Sequence, residues 1–404
     1  MYLRLAKLLL VLLVMHSCTT GMRFTVTLDA LAHGADTFEV GAMLACVSLF
    51  PAFFAVAAGR WLDRRGPRPS LTAAVFCASA AGVGTLLLPT DSAGLAPLFA
   101  ACLLAGTSFL LINTVVQRLT GDVALPEKRA LAFTILSVVT ATSNLATPVV
   151  AGYLLEHFGF FAFYGWVAAS PLAAGLVCLM PFMREVLPGA PEKKEQAQAN
   201  NGKKARVTDF FKDPALFAVM GCSVVVSVAW EAGNLLIPVY CTAADLTPSS
   251  IGWVLGSFSA ATFVVRLLMP YLMAHMQEWT MIAATLLTAA LAFLLFPFFD
   301  NFYALAACAF LLGLGLGASL PNMMSLVYRL APAGRTGEVI GLRLMMINGS
   351  KAFFPMALGA LGTVIGVGAT LWGLSVFVFA GFLFAVKSTQ AVTQAVAAKD
   401  LHAK

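Results

Sequence analysis

Charged residues are scarce in this sequence. Only 11% of its 404 residues are Asp, Glu, Lys or Arg, whereas 60% are hydrophobic. A soluble domain carries about twice that share of charge, because its surface must face water. The mean hydropathy of +0.88 indicates that the chain is surrounded by an apolar solvent. The composition therefore excludes an ordinary soluble protein and predicts an integral membrane protein.

The sequence also lacks the motifs of several chemistries. Its eight cysteines include no Cys-x-x-Cys pair, so we expect small buried apolar residues rather than a disulfide framework. Its five histidines show no metal-ligand spacing, and no His-Glu-x-x-His or paired-acid motif occurs at membrane depth. An intramembrane enzyme is therefore disfavoured, and the missing phosphate-binding loop disfavours nucleotide-driven pumping. We expect no metal, no cofactor and no enzymatic activity.

Long apolar runs, in contrast, fill most of the chain. A helix needs about 20 apolar residues to cross a bilayer. Runs such as 8–14 and 291–299 are apolar on all sides, which excludes the alternating strands of a barrel. The predicted fold is therefore all-α, polytopic and membrane-embedded, with twelve transmembrane helices. They are expected at about 5–31, 37–60, 69–89, 95–118, 130–154, 160–183, 214–240, 249–272, 279–299, 302–330, 337–365 and 369–387.

Positive charge is distributed asymmetrically between the loops that this arrangement creates. The five loops on one side contain no Lys or Arg, and the cationic loops, both termini and the central polar stretch share the other side. Because Lys and Arg stay cytoplasmic, both termini are predicted to be cytoplasmic, in a bacterial inner membrane. Spanning helices separate these cations, so they form no nucleic-acid-binding patch. The expected partners are the lipid bilayer, a small-molecule substrate and protons, and we expect a monomer.

Residues 184–213 are polar and divide the chain into two halves. We predict an N-terminal six-helix bundle (1–183), a cytoplasmic linker (184–213), a C-terminal six-helix bundle (214–387) and a cytoplasmic tail (388–404). The halves share sequence at a nearly constant offset. Repeated halves of this kind are typical of transporters, whose substrate binds near the midplane at the interface of the repeats. The matches are Val40-Gly41 with Ile251-Gly252 and Gln117-Arg118-Leu119 with Tyr328-Arg329-Leu330, both shifted by 211, and Pro148 and Gly152 with Pro355 and Gly359, shifted by 207.

The loop after the second helix carries a family motif. It consists of Gly59-Arg60-Trp61-Leu62-Asp63-Arg64-Arg65-Gly66-Pro67-Arg68. This loop resembles the Gly-x-Leu-Ala-Asp-Arg-x-Gly-Arg-Arg motif of the major facilitator superfamily, from which Trp61 and Pro67 depart. The resemblance covers the whole chain and implies a conformational latch, in which Asp63 accepts hydrogen bonds from the eleventh helix near Thr336. The implied latch residues are Gly59, Asp63, Arg64, Gly66, Arg68, Asp122 as the partner of Arg64, and Arg343.

The fifth helix carries a second motif. It consists of Ser143-Asn144-Leu145-Ala146-Thr147-Pro148-Val149-Val150-Ala151-Gly152. It resembles the Gly-x-x-x-Gly-Pro-x-x-Gly-Gly motif of antiporters in this superfamily. Pro148 and Gly152 match, whereas Ser143, Thr147 and Ala151 replace glycines. The resemblance implies export by antiport, and the alternative is packing of small residues around a proline kink.

A few charged residues fall inside the predicted helices, where an unpaired charge costs several kcal/mol. Glu231 is the acid placed deepest, and an Arg23–Glu231 pair is the preferred interpretation. Burial favours the protonated carboxyl and a nearby cation favours the ionised one, so this pair meets the minimum requirement for proton coupling. A permanently ionised structural pair is the alternative. Asp29, nearer the outer rim, is a further proton-coupling candidate.

Other polar residues at membrane depth are candidates for a substrate cavity. Lys351 corresponds to Asn144 at the offset of 207, and Trp230 adjoins Glu231. The full set is Asn113, Asn144, Trp230, Asn234, Asn322, Asn348 and Lys351.

An excess of cations in the core favours an anionic or zwitterionic solute. We therefore predict a proton-coupled exporter of a small amphiphilic or anionic compound, of the class of drugs and siderophore-like metabolites. The alternative is proton-coupled uptake of a small organic acid or sugar.

Overall fold

A computed structural model describes residues 2–123, 129–180, 183, 213–332 and 336–403, and these residues are helical almost throughout. The chain divides into two compact units, one of Met1–Ala197 with Asp245–Gly256 and one of Gln198–Ala244 with Ser257–Lys404. The helices of the N-terminal half are α1 (Tyr2–Ala32), α2 (Thr37–Arg65), α3 (Pro67–Leu87), α4 (Thr90–Ala93), α5 (Ala96–Val123) and α6 (Arg129–Leu179). The C-terminal half contains α7 (Pro214–Ala243), α8 (Pro248–His275), α9 (Glu278–Leu295), a short 3-10 helix (Phe296–Phe298), α10 (Phe302–Gly317), α11 (Ser319–Leu330), α12 (Thr336–Ile365), α13 (Val367–Lys387) and α14 (Thr389–Ala403).

Eleven stretches of the described residues are long and apolar enough to span a bilayer. One of them, Ile135–Leu179, has 45 residues, which at about 1.5 Å per residue is about twice the thickness of a hydrocarbon core. Gly159 interrupts it with a φ of 72°, so this stretch supplies both the fifth and the sixth predicted spans. Gly366, 207 positions later, has a φ of 85° and separates α12 from α13. The predicted all-α, twelve-span fold is confirmed.

The repeat predicted from the sequence is also visible in the helix boundaries. Helices α1 and α7 end at Ala32 and Ala243, and α2 and α8 begin at Thr37 and Pro248, so both boundaries are 211 positions apart. Together with the two glycine breaks, these boundaries give the offset between equivalent residues of the two halves. It is 211 positions for the first helical hairpin and 207 positions for the fifth helix.

The predicted bounds of the two bundles, the linker and the tail stay predictions. The contacts of two segments bear on them. The first turns of α8 group with the first unit, because Asp245–Gly256 contact it more than the second unit. The tail predicted at 388–404 forms α14, which packs against α7, α9 and α11. Of the predicted linker, only Asp213 lies within the described residues; its carboxylate caps α7 by accepting from the amides of Ala215 (2.9 Å) and Leu216 (3.3 Å).

Close helix crossings hold each unit together. A Cβ at Gly106 of α5 would overlap the backbone carbonyl of Val47 on α2, so the two helices touch through their backbones. Gly313 of α10 meets the backbone of Phe258 on α8 in the same way. Val47 and Phe258 are related by the offset of 211, so both halves have a close backbone contact with a glycine at the same position of the repeat. Small residues at such crossings are typical of helix pairs in membranes, where van der Waals packing replaces the hydrophobic effect.

Candidate substrate and proton site

Glu231 lies in the middle of α7 and is almost completely buried, with 2% of its side chain exposed. Its Oε1 is 3.7 Å from Nζ of Lys351 on α12, whose side chain is 38% exposed. One turn away, the hydroxyls of Ser227 and Ser350 join the same two helices at 3.0 Å. An acid shielded from solvent is thus paired with a cation that solvent or a solute can reach.

This geometry identifies a partner for Glu231 that differs from the predicted one. Arg23 belongs to α1 in the first unit and Glu231 to the second, so the Arg23–Glu231 pair stays a prediction. The sequence placed Lys351 on the cavity side of its helix but did not connect it to Glu231. The internal repeat gives both residues equivalents in the first half. The offset of 211 relates Glu231 to Thr20, and the offset of 207 relates Lys351 to Asn144.

The remaining cavity candidates of the second unit have different surroundings. Trp230 is half-buried and packs edge-on against Phe258, with 5.2 Å between ring centroids. The amide of Asn234 donates to the carbonyl of Trp230 at 3.1 Å, and Asn348 is half-buried on α12, one turn before Lys351. These residues share α7 and α12 with the ion pair. Asn322 is fully buried on α11 and donates to the carbonyl of Ala318 at 2.9 Å, as a helix-packing residue does.

The first unit holds an uncharged polar cluster between α1 and α6. His16 Nδ1 is 3.0 Å from the hydroxyl of Ser143, and the hydroxyl of Ser17 is 2.9 Å from the same oxygen. The hydroxyl of Thr20 lies 3.3 Å from His16 Nδ1 and donates to Oδ1 of Asn144 at 3.4 Å. The sequence singled out Asn144 but not its partners. Asn113 on α5 is half-buried and donates to the carbonyl of Phe109 at 3.0 Å, within its own helix.

The same contacts explain why the antiporter-like motif departs from glycine. Ser143 uses its hydroxyl to bind α1, and the methyl group of Thr147 lies against Gly21 of α1. Gly152 is retained where the backbone requires it, since a Cβ there would overlap the carbonyl of Pro248 at the start of α8. Pro148 is buried in the helix interior. Helix α6 thus keeps the glycine at its backbone contact and gains hydroxyls where it meets α1.

Asp29 lies in a second polar cluster, at the end of α1. Its side chain is buried, with 3% exposed, and its Oδ2 accepts hydrogen bonds from the hydroxyls of Tyr164 (2.6 Å) and Thr90 (3.2 Å). His33 Nδ1 is 3.0 Å from Oδ1 of Asp29, and its Nε2 is 2.9 Å from the carboxylate of Asp91. Hydrogen bonds to the Asp29 carbonyl and to Asp91 raise the pKa of His33. The sequence identified only Asp29, because Thr90 and Tyr164 come from α4 and α6 and are distant from it along the chain.

The predicted latch residues fall into three groups. Gly66 has a φ of 82°, ends α2 and donates to the carbonyl of Leu62 at 2.9 Å, which allows α3 to begin at once, while Gly59 has open space around it. Arg64 and Arg68 are exposed. The side chains of Asp63 and Asp122 lie outside the described part of the chain, so the latch stays a prediction.

Arg343, the seventh latch candidate, is buried within the second unit. Its guanidinium donates from Nε to the hydroxyl of Ser223 at 3.1 Å and contacts the sulfur of Met324 at 3.2 Å. These contacts tie α12 to α7 and α11. They give Arg343 a packing role inside its own unit.

Several solved structures share this fold across nearly their whole length. A peptide transporter POT in complex with sulfate covers 97% of this chain and 95% of its own, with a TM-score of 0.79 and 14% identity. A POT family transporter in complex with 5-aminolevulinic acid covers 96% of each chain, with a TM-score of 0.78 and 12% identity. A bacterial metal transporter covers 96% of this chain and 98% of its own, at 0.70 and 17%. At these identities the similarity shows the fold.

The amino-acid sequence shows the family to which the chain belongs. No curated protein matches the chain significantly. The family model of the Major Facilitator Superfamily matches residues 8–246 and 220–401, which together cover almost all of the chain. The protein is therefore an integral multi-pass membrane transporter and not an enzyme, and it belongs to the major facilitator superfamily.

Proposed function

We propose that this protein is a proton-coupled secondary transporter of a small zwitterionic or anionic compound, with Glu231 as its proton-binding group. The observation that supports this proposal is the 3.7 Å contact between Glu231, whose side chain is 2% exposed, and Lys351, whose side chain is 38% exposed. Protonation of the buried Glu231 would remove the negative charge that faces the partly exposed Lys351. A solute carboxylate then replaces the lost negative charge.

The chemistry of the pair favours a solute that carries a carboxylate or another anionic group. A zwitterion matches both members, because its amine binds ionised Glu231 while its carboxylate binds Lys351. One of the solved structures with this fold is a POT family transporter that holds 5-aminolevulinic acid, a compound with one amine and one carboxylate. Trp230, beside Glu231, supplies an apolar face for the rest of an amphiphilic molecule.

The charge on the solute sets the direction of coupling. A zwitterion competes with a proton for Glu231, so the two move in opposite directions. We propose this antiport, and hence export, as the physiological mode, and the antiporter-like run ending in Pro148 and Gly152 supports it. Uptake by symport is the second candidate, because a simple anion binds Lys351 best when Glu231 is protonated, and the two then move together.

A comparison of metabolites inside and outside cells identifies the solute. Three strains are compared: one with the wild-type gene, one without it, and one that produces the Glu231→Gln variant. We expect one compound class to leave the wild-type cells and to be retained by both other strains, since the variant lacks the proton-binding group. The variant must be present in the membrane in wild-type amounts, which immunodetection checks. No difference between the wild-type and variant strains would contradict the role of Glu231.

Membrane vesicles then determine the direction of transport. In inverted vesicles with an acidified lumen, we expect the compound identified in cells to accumulate, because protons leave as it enters. Accumulation in right-side-out vesicles under an inward proton gradient would instead establish uptake by symport. Collapse of the gradient with a protonophore abolishes accumulation in either case if transport is proton-coupled.

A further inference from the structure

The two halves carry the same arrangement of polar side chains at the same positions of the repeat. In the first half, His16 and Thr20 are one turn apart on α1; at the offset of 211 they correspond to Ser227 and Glu231 on α7. Ser143 and Asn144 are adjacent on α6; at the offset of 207 they correspond to Ser350 and Lys351 on α12. The offset of 211 is also given by the ends of α1 and α7, and the offset of 207 by the two glycine breaks, which are Gly159 within α6 and Gly366 after α12.

The contacts within the two arrangements are equivalent as well as the positions. Each arrangement has two contacts, which we call the lower and the upper contact. In the first unit, the lower contact joins His16 to Ser143 at 3.0 Å. Its counterpart joins Ser227 to Ser350, also at 3.0 Å. The upper contact joins Thr20 to Asn144 at 3.4 Å. Its counterpart is the ion pair of Glu231 and Lys351 at 3.7 Å.

The two upper contacts also share their accessibility. Ser143 and Ser350 are buried, whereas the residues that follow them, Asn144 and Lys351, are half-buried. Helices α6 and α12 therefore leave the second residue of each pair partly exposed. Thr20 is half-buried too. Its hydrogen bond to Oδ1 of Asn144, of 3.4 Å, is longer than the usual length of about 2.7–2.8 Å between hydroxyl donors and oxygen acceptors.

The chemistry of the two upper contacts differs. The second unit has an acidic and a basic side chain, which bind charged groups. The first unit has a hydroxyl and an amide, which donate and accept hydrogen bonds but do not titrate. We propose that Thr20 and Asn144 form a neutral polar subsite, which binds an uncharged hydrogen-bonding group of the transported compound, such as an amide, carbonyl or hydroxyl, and sets specificity for it. In this proposal, the charged pair of Glu231 and Lys351 serves proton coupling, and the neutral pair of Thr20 and Asn144 serves recognition of the compound.

This inference rests on the proposed transport of a solute, but it does not require proton coupling. It is therefore tested by exchange, in which vesicles loaded with unlabelled compound take up labelled compound without any gradient. The probe is the compound that the cell comparison identifies. Thr20→Val removes the hydroxyl at constant shape, Asn144→Leu removes the amide, and Thr20→Ser retains the hydroxyl. Thr142→Val is the matched control, because Thr142 is exposed on α6 and bonds only to the carbonyl of Val138 among the contacts that the structure resolves.

We expect Thr20→Val and Asn144→Leu to raise the half-saturation concentration for exchange about 5- to 10-fold, as the loss of one hydrogen bond does. Thr20→Ser and Thr142→Val should stay within about twofold of the wild type. The pH dependence of gradient-driven transport should keep its midpoint in all four variants. Unchanged half-saturation in both Thr20→Val and Asn144→Leu, or an equal loss in Thr20→Ser, would overturn the subsite. If exchange is altered as expected but no variant or wild type responds to a proton gradient, the subsite stands and the coupling proposal fails.

Discussion

Removal of the Lys351 charge measures the strength of its interaction with Glu231. Two unit charges 3.7 Å apart attract each other by about 1 kcal/mol in bulk water and by about 4 kcal/mol at the effective dielectric constant near a protein surface. Glu231 is shielded and Lys351 is partly hydrated, so the interaction falls between these limits. We expect a coupling energy of about 1–3 kcal/mol.

A double-mutant cycle isolates that coupling from the other effects of each substitution. The free energy of unfolding in detergent is measured for the wild type, Glu231→Gln, Lys351→Met and the double variant. Lys351→Met should destabilise the protein more than Glu231→Gln, because it removes the ammonium group next to a carboxylate that stays buried and charged. The double variant should be more stable than the sum of the single effects predicts. The same change at an exposed lysine, Lys387→Met, is the control and should have almost no effect.

Additivity of the two substitutions within about 0.5 kcal/mol would refute the reasoning. It would mean that the two charges do not interact in solution, and Lys351 could not transmit the protonation state of Glu231 to a bound anion.

Three further predictions test other parts of the structure. Gly106→Ala should destabilise the protein by about 1–3 kcal/mol, because the added methyl group meets the backbone of α2. The control is Gly84→Ala, whose methyl group meets no other atom and which should be neutral or stabilising. Thermal unfolding measures both. His33 has a raised pKa, so its contribution is complete below about pH 6.5 and is lost as the pH rises through that raised value. The stability difference between wild type and His33→Gln should therefore shrink from pH 6 to pH 9, and a constant difference would contradict the ion bridge. Asp63→Asn should slow turnover more than it weakens equilibrium binding, since the loop lies far from the midplane; a large loss of affinity at a normal rate would exclude the latch.

The fold was predictable because a single physical requirement dominates it. Each span must present about 20 apolar residues, and the sequence shows this pattern in all the stretches that are long and apolar enough to cross a bilayer. Details at the ends were not predictable. The span expected at 302–330 is divided at Ala318 into α10 and α11, and α9 ends in the 3-10 turn Phe296–Phe298. Breaks of this kind depend on packing against neighbours, which an apolar run does not encode.

The site was only partly predictable, for a related reason. Glu231 could be identified because a carboxyl in the middle of an apolar helix is conspicuous. Its contact with Lys351 depends on how α7 and α12 are rotated about their axes, and helices that are apolar on all sides give no periodic signal for that rotation. The contact between His33 and Asp91 depends on the short helix α4, which the apolar pattern does not predict. The internal repeat was the sequence signal that bears on this contact, because it aligns α7 with α1 and α12 with α6.

The central claim is that Glu231 takes up and releases a proton. Infrared difference spectroscopy of the purified protein in lipid vesicles detects protonated carboxyl groups directly and needs no substrate. Because the chain has 19 Asp and Glu residues, all of them contribute to the carboxylic-acid band as the pH is lowered. We predict one pH-dependent component of this band that the wild type shows, that Glu231→Gln lacks and that Asp63→Asn retains. The same pH-dependent band in the wild type and in Glu231→Gln would show that Glu231 does not titrate, and it would contradict proton coupling at this residue.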